Sequence, residues 1–210
     1  MYILATDTST DYASVALLEK NRILFELNES GKHAHNKRLF DMISELVGQC
    51  GISIRDIDLF AIGAGPGSFT GLRVGVSAIK GIAIGLNKKI IPVSSIDAVA
   101  LNAFSDFPDE KEINVILEGR QKDFFHAKYT PEGKDVKKIS EIIVRPYEDY
   151  SYINGVTVGN VPVELIGSEY YSGGYNPKAG CIGRLAYSRK DEGGYDYNFE
   201  PEYYKEFKIR

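Results

Sequence analysis

The sequence predicts an α/β fold in which helices pack on a mixed β-sheet. Two patterns point there. Three short β-rich runs follow one another over residues 2–27 with turn residues between them, as in an antiparallel meander. Helical and strand periodicities then alternate up to residue 104, giving the order β-β-β-α-β-α-β-α. A third observation sets the scale. The chain has 210 residues, 43% hydrophobic and 26% charged, which suits a soluble globular protein of one large domain or two small ones.

Residues 2–6 form the first run and end at Asp7-Thr-Ser-Thr10. Residues 12–18 and 22–27 follow, with 19–21 as the turn between them. Residues 34–50 read as a helix stopped by Gly51. A strand at 57–62 leads into a glycine-rich turn, a second helix at 69–86 and a strand at 90–93. Ser94 with Asp97 three residues on reads as a capping box, opening a helix to about Phe104. Residues 106–112 are a polar break and a plausible domain boundary. Beyond it come strands at 113–118 and 124–130, a turn at 131–133, a strand near 139–144, and a helix at 177–189 with Pro177 in its first turn. Of the 14 tyrosines, 11 lie from Tyr147 onward, which marks a loop-rich second half.

Composition excludes several classes. A net charge of −4 lacks the basic footprint of a protein that grips nucleic acid alone. Cys50 and Cys181 are too few for a disulfide framework or a four-thiolate zinc site. Residues 1–7 carry no signal-peptide pattern. The most apolar stretch, residues 74–86, is too short and too polar to span a bilayer. The expected compartment is the cytoplasm.

Two helices carry more apolar surface than one sheet can cover. On the second, Leu72, Val76, Ile79, Ile82, Ala83 and Leu86 fill one side, and Gly71, Gly75, Ala78, Gly81 and Gly85 the adjacent side. Arg73, Ser77 and Lys80 form a polar strip interrupted by Ile84. Each helical glycine costs roughly 1 kcal/mol relative to alanine, which the close approach of another backbone offsets. On the first helix, Leu39, Phe40, Met42, Ile43, Leu46 and Val47 span roughly 160° at 100° per residue, wider than a simple amphipathic stripe. Either these faces bury against each other and the sheet, or they form an interface with another chain. The interface candidates are Leu39, Phe40, Ile43, Val47, Gly71, Gly75, Ala78 and Ile82. On that reading Gly75→Leu breaks association before it breaks the fold.

The turn from Ala61 to Arg73 leads a strand into a helix N-terminus, where backbone amides can meet an anion. Asp7, Ser9, Gly65, Gly67, Ser68 and Thr70 are the candidate phosphate-binding residues. The known fingerprints fail: Thr70 stands where the dinucleotide pattern needs its third glycine, and no Gly-Lys-Ser/Thr completes a Walker loop. A tight structural turn is the other reading.

Leu4-Ala-Thr-Asp-Thr-Ser9, Gly65-Pro-Gly-Ser-Phe-Thr-Gly-Leu-Arg-Val-Gly75, Lys80-Gly and Pro92-Val-Ser-Ser95 together resemble the bacterial TsaB (YeaZ) family. The match is dense to about Leu101; Glu118-Gly-Arg120 and Pro201-Glu-Tyr-Tyr-Lys205 are weaker echoes. The resemblance implies an actin-like ATPase fold with two ribonuclease H-like lobes. These would be residues 1–105 and a smaller, divergent 106–210, with the last helix or tail packing back on the first lobe. It implies a non-catalytic subunit in the synthesis of threonylcarbamoyladenosine next to the tRNA anticodon. The partner would be the catalytic subunit TsaD, bound through a helical bundle, with the ATPase TsaE in the wider complex and tRNA met only through that complex. ATP and metal are expected on the partner and not on this chain, and a homodimer when the chain is alone. Catalytic relatives carry a His-x3-His metal pair where this chain has Ser95-Ile-Asp-Ala-Val99, so no metal site is expected. Asp7-Thr-Ser-Thr10 also lacks the glycine of the related Asp-x-Gly-Thr hairpin.

Other chemistry finds less support. His33 and His35 precede the first helix and His126 sits in a strand, with no His-Glu-x-x-His. Ser77-Ala-Ile-Lys80 matches a penicillin-recognising motif whose companion motifs are absent. The late tyrosines, among Lys178, Arg184, Arg189 and Lys190, are offset by Glu164, Glu169, Asp191, Glu192, Asp196, Glu200 and Glu202, so packing is favoured over base stacking. The alternative function is a free-standing nucleotide-binding enzyme of the actin-like superfamily, using Asp7, Ser9 and the 65–70 turn.

Overall fold

Both faces of the first sheet are covered, which explains why its strands are apolar along nearly their whole length. The structure is a computed structural model and describes residues 1–31, 34–119, 122–162, 171–191 and 197–204. β1 (Tyr2–Asp7), β2 (Tyr12–Glu19) and β3 (Arg22–Ser30) form the antiparallel meander. β4 (Leu59–Gly63) pairs parallel with β1, and β5 (Lys89–Val93) parallel with β4, giving the order β3-β2-β1-β4-β5. α1 (Ala34–Gln49) and α2 (Phe69–Gly85) pack on one face, against Leu4, Val15, Leu17, Phe60 and Ile62. α4 (Ala179–Ser188) covers the other face, in one cluster with Ile3, Ala5, Ala16, Leu18 and Ala61, and α3 (Ser95–Asp106) packs against α4.

α3 packs on a second sheet. β6 (Ile113–Glu118) and β7 (Asp123–Glu132) are antiparallel. β8 (Asp135–Lys138) and β9 (Ile143–Pro146) both pair with β7. β10 (Thr157–Gly159) pairs parallel with β6, and β11 (Tyr171–Ser172) with β10. Val115, Leu117, Phe125, Ala127 and Tyr129 share one cluster with α3 and α4, so one continuous core joins the two sheets.

Several elements differ from the sequence reading. β7 runs on through Pro131, and the turn comes later, at Gly133, whose φ of +64° suits glycine. Of the strand expected near 139–144, only Ile143 and Val144 are strand, at the start of β9; β8 lies before that span and the residues between are not strand. Ser94 occupies the N-cap position of α3 but makes no cap bond; its hydroxyl donates to the Gly65 carbonyl at 3.1 Å. Asp97 also turns away from the helix start, to Arg189 and Tyr129. Tertiary partners outcompete the local box. α4 starts two residues later than predicted, at Ala179. Its first amides are satisfied from the sheet: Ala179 N–H donates to Ser14 Oγ at 2.8 Å and Gly180 N–H to Glu26 Oε1 at 2.6 Å.

Arg189, just past α4, ties three elements together. Its Nη1 donates to Asp97 on α3 at 3.1 Å, while Nη2 and Nε donate to the two oxygens of Asp135 on β8 at 2.9 and 3.2 Å. Burial raises the Asp135 pKa, but the Arg189 hydrogen bond, the Val136 amide and the Ser188 hydroxyl together hold it below the ordinary carboxyl range. A depressed carboxyl stabilises the fold above its unfolded pKa and loses that contribution as pH falls through the folded one. Arg189→Gln should therefore lower the unfolding free energy at pH 7 by roughly 1–3 kcal/mol. The gap to the parent should narrow in urea titrations taken below about pH 4.

Candidate functional site

The glycine turn is pressed against the β1–β2 turn, backbone to backbone. A methyl group built at Gly67 would overlap the Ser9 carbonyl oxygen, one at Gly71 the Thr8 carbonyl oxygen, and one at Gly75 the Thr8 hydroxyl. The Thr8 hydroxyl donates to the Gly71 carbonyl at 2.8 Å, and Ser68 N–H donates to the Ser9 carbonyl. The α2 glycines that most needed an explanation thus find their close neighbour inside the chain. This corrects the interface reading at Gly71 and Gly75, which are buried against the β1–β2 turn.

Asp7 lies beneath this contact, fully buried at the end of β1. Its Oδ1 accepts from the Ser9 amide at 2.8 Å and hydroxyl at 2.7 Å, and its Oδ2 accepts from the Ser95 hydroxyl at 2.6 Å. Ser95 Oγ in turn accepts from the Gly65 amide at 3.2 Å, and the Ser95 amide donates to the Gly65 carbonyl at 2.6 Å. Burial pushes the Asp7 pKa up to about 6, against the lowering effect of its serine donors. The candidate phosphate residues Asp7, Ser9, Gly65, Gly67 and Ser68 are therefore brought together, with Thr70 in the first turn of α2. Their geometry does not suit a phosphate. The amides of Gly65, Ser68 and Gly71 are taken by protein acceptors, and a carboxylate with two carbonyl oxygens lies where an anion would enter.

A strap from Tyr197 to Tyr204 closes over the turn. The Glu202 amide donates to the Ala64 carbonyl at 2.8 Å, and Tyr197 donates to the Lys88 carbonyl at 2.7 Å. Lys80 Nζ donates to the Phe199 carbonyl and sits 4.1 Å from the centre of that residue's ring. Tyr203 packs on Phe69 and Tyr204 on Phe125, so the strap touches both the start of α2 and the second sheet. Sequence reasoning recorded residues 201–205 only as an echo, because the strap has no periodicity. Lys80 is engaged by the strap while Ser77 faces out, so the Ser-x-x-Lys match has no catalytic pairing.

The remaining interface candidates divide. Leu39 and Ile43 are buried in the core between α1, α2 and the sheet. Val47, Ala78 and Ile82 are half-buried at its margin, and Phe40 stands 60% exposed. The outward side of α2 is Arg73, Ser77, Gly81, Ile84 and Gly85. Ile84 is 55% exposed, and Gly81 and Gly85 have open space where a side chain would be. Ile84, which interrupts the polar strip of Arg73, Ser77 and Lys80 in the sequence, thus lies between Gly81 and Gly85 on the exposed side.

His33 lies outside the described residues, as do Arg120, Glu164, Glu169, Glu192, Asp196 and Lys205; of His35 only the backbone is described. His126 is buried in β7 with Nε2 3.0 Å from Asn114 Oδ1; burial, with Arg145 and Lys128 beside it, lowers its pKa to about 4. Among the described residues no group of histidine, cysteine and carboxylates gathers to hold a metal ion. Ser95 and Val99 are buried, with Ser95 on Asp7 and Val99 in the core. Tyr147, Tyr175, Tyr197, Tyr203 and Tyr204 all bond or stack within the chain. No described helix is long and apolar enough to cross a membrane.

The family model for TsaD, tRNA N6-adenosine threonylcarbamoyltransferase, matches residues 24–156. The "tRNA threonylcarbamoyladenosine biosynthesis protein TsaB" of Escherichia coli is 30% identical over 166 residues, covering 76% of this chain and 71% of that protein. The chain belongs to the TsaB family. The Haemophilus influenzae TsaB is 35% identical over 130 residues, 62% of this chain and 54% of that one. The matches thus span about half to 71% of the length of these curated relatives. A tRNA N6-adenosine threonylcarbamoyltransferase from Fervidobacterium nodosum is 33% identical over 132 residues, 56% of this chain and 39% of that enzyme. The structure titled "YeaZ from Pseudomonas aeruginosa" superposes with a TM-score of 0.84 at 23% identity, covering 96% of this chain and 99% of that one. An activator of 2-hydroxyisocaproyl-CoA dehydratase from Clostridium difficile superposes at 0.52 and 11% identity, covering 91% of this chain and 95% of that one. These likenesses place the TsaB-family chain in the actin-like ATPase fold.

Two outcomes follow for this site. Gly75→Leu should cost roughly 3 kcal/mol or more of stability, since the leucine must displace Thr8; thermal unfolding of the purified variant measures it. Asp7 has a raised pKa, so its contribution favours the fold at low pH and is lost as pH rises through about 6. Asp7→Asn should remove that loss, and the variant should gain roughly 1–3 kcal/mol on the parent between pH 5 and pH 7.5. Parallel stability–pH profiles would exclude a raised Asp7.

Proposed function

We propose that this chain is a non-catalytic subunit of the apparatus that forms threonylcarbamoyladenosine in tRNA, next to the anticodon, and that its α1–α2 face docks on the TsaD catalytic subunit. The single observation that carries the docking is the outward face of α2. Gly81 and Gly85 each cost roughly 1 kcal/mol in a helix, and among the described residues nothing approaches them closely enough to require glycine. A second helix packing on that face supplies the reason, with Ile84 and Phe40 as its apolar flanks. Sequence likeness of residues 24–156 to the TsaD model supports a pairing of related lobes. The crowded Asp7–glycine turn supports a chain that leaves ATP and metal to its partner. Docking would raise activity by favouring the partner conformation that fits this face. TsaE joins the wider complex, tRNA is met through that complex, and the chain alone forms a homodimer through the same face.

The test is tRNA threonylcarbamoylation by purified TsaD and its accessory proteins, with and without this chain. Product should depend on the chain. Gly81→Ala should raise the stability of the isolated chain by roughly 0.5–1 kcal/mol. Gly81→Leu should leave its unfolding midpoint near that of the parent while lowering both association and product at least tenfold. Turnover of ATP and magnesium by the isolated chain would overturn this reading in favour of a free-standing nucleotide enzyme.

A further inference from the structure

The β2–β3 turn holds a second cluster of polar groups, at the opposite end of β2 from the glycine turn. Glu19, Lys20, Asn21, Arg22 and, from α4, Arg184 line a depression of about 600 Å³. Arg184 makes no hydrogen bond or ion pair through its side chain among the described residues, and its Nε is shut off from solvent without a partner. A guanidinium cannot shed its proton to relieve this, and a buried donor left unpaired is costly. The nearby carboxylates are already engaged. Glu19 pairs with Arg22 at 2.9 Å, and Glu26 accepts the Gly180 amide at 2.6 Å. Three cations against one carboxylate leave the depression with an excess of positive charge in a chain whose net charge is −4.

Lys20 adds an independent observation. Its φ of 55° puts it in the left-handed region, where glycine or asparagine is favoured and a long side chain is disfavoured. Its amide is tied to the Met1 carbonyl at 2.9 Å, so the backbone there is held in place. Lys20 lines the depression together with Arg184.

We infer that this depression binds a phosphate group, with Arg184 as the planar donor and Lys20 as the ammonium. The inference is independent of the proposed docking face. A planar guanidinium with adjacent unpaired N–H donors matches two phosphate oxygens, and an ammonium neutralises the remaining charge. The ligand chemistry is a phosphate monoester or diester, and its source is either a small free anion or an RNA backbone.

Two probes separate these sources. Inorganic phosphate is titrated into ¹⁵N-labelled chain, with the amides of residues 19–22 and 184 as the readout. A fluorescent tRNA anticodon-stem hairpin is titrated by anisotropy at 50 and 200 mM salt. Arg184→Gln and Lys20→Asn are the variants; asparagine suits the left-handed backbone, so the second keeps the turn. Phosphate should shift those amides, and Arg184→Gln should weaken it at least tenfold while the circular dichroism spectrum stays unchanged. Phosphate binding without hairpin binding assigns the site to a small anion. Salt-sensitive hairpin binding that Arg184→Gln weakens tenfold assigns it to an RNA backbone. Absence of both, or binding that neither variant weakens, overturns the inference.

Discussion

A helix reaches backbone contact with a neighbouring turn only where it carries no side chains, and α2 meets that condition once every four residues at its start. Gly67, Gly71 and Gly75 lie along the Thr8–Ser9 backbone, and Thr8 bonds back to the Gly71 carbonyl. This approach sets where α2 sits on the sheet, and so which of its sides is left facing out. It also brings Gly65 and the start of α3 to Asp7, so one buried carboxyl coordinates the ends of β1, β4 and α3. A side chain anywhere along that line would push α2 off the sheet and open the Asp7 site to water.

The same compactness closes the glycine turn. Here the amides satisfy protein carbonyls and hydroxyls, and the strap from Tyr197 to Tyr204 lies across the opening.

Much of the first half was legible because local and tertiary signals agree there. The strands of the meander and the helices α1, α2 and α3 follow from periodicity and turn residues, and each end was found within a few residues. The site was less legible. A helical wheel shows that Gly71, Gly75, Gly81 and Gly85 share a side of the apolar surface, but it does not say which pair meets the chain's own β1–β2 turn and which faces outward. Asp97 fits a capping box by spacing, yet Arg189, 92 residues away in sequence, and Tyr129 take its carboxylate. β10 and β11 have three and two residues, too few for any alternation to register. The strap was out of reach for another reason: its aromatic side chains and backbone bonds carry no repeating pattern, only complementarity to a surface built 130 residues earlier.

α4 and the strap come late in the sequence, yet they cover the sheet that β1 and β2 begin. Residues 179–188 cover one face of β1 and β2, and residues 197–204 cover the opening above the glycine turn. During translation, the meander and α1–α3 therefore leave the ribosome with one sheet face bare. They must wait for about 75 further residues, at a synthesis rate of about 5–20 residues per second, before α4 can settle on it. The second sheet, which emerges during that interval, shares one core cluster with α4. The chain order thus couples the two sheets in time as well as in space, and a nascent chain halted before residue 179 exposes the apolar face of the first.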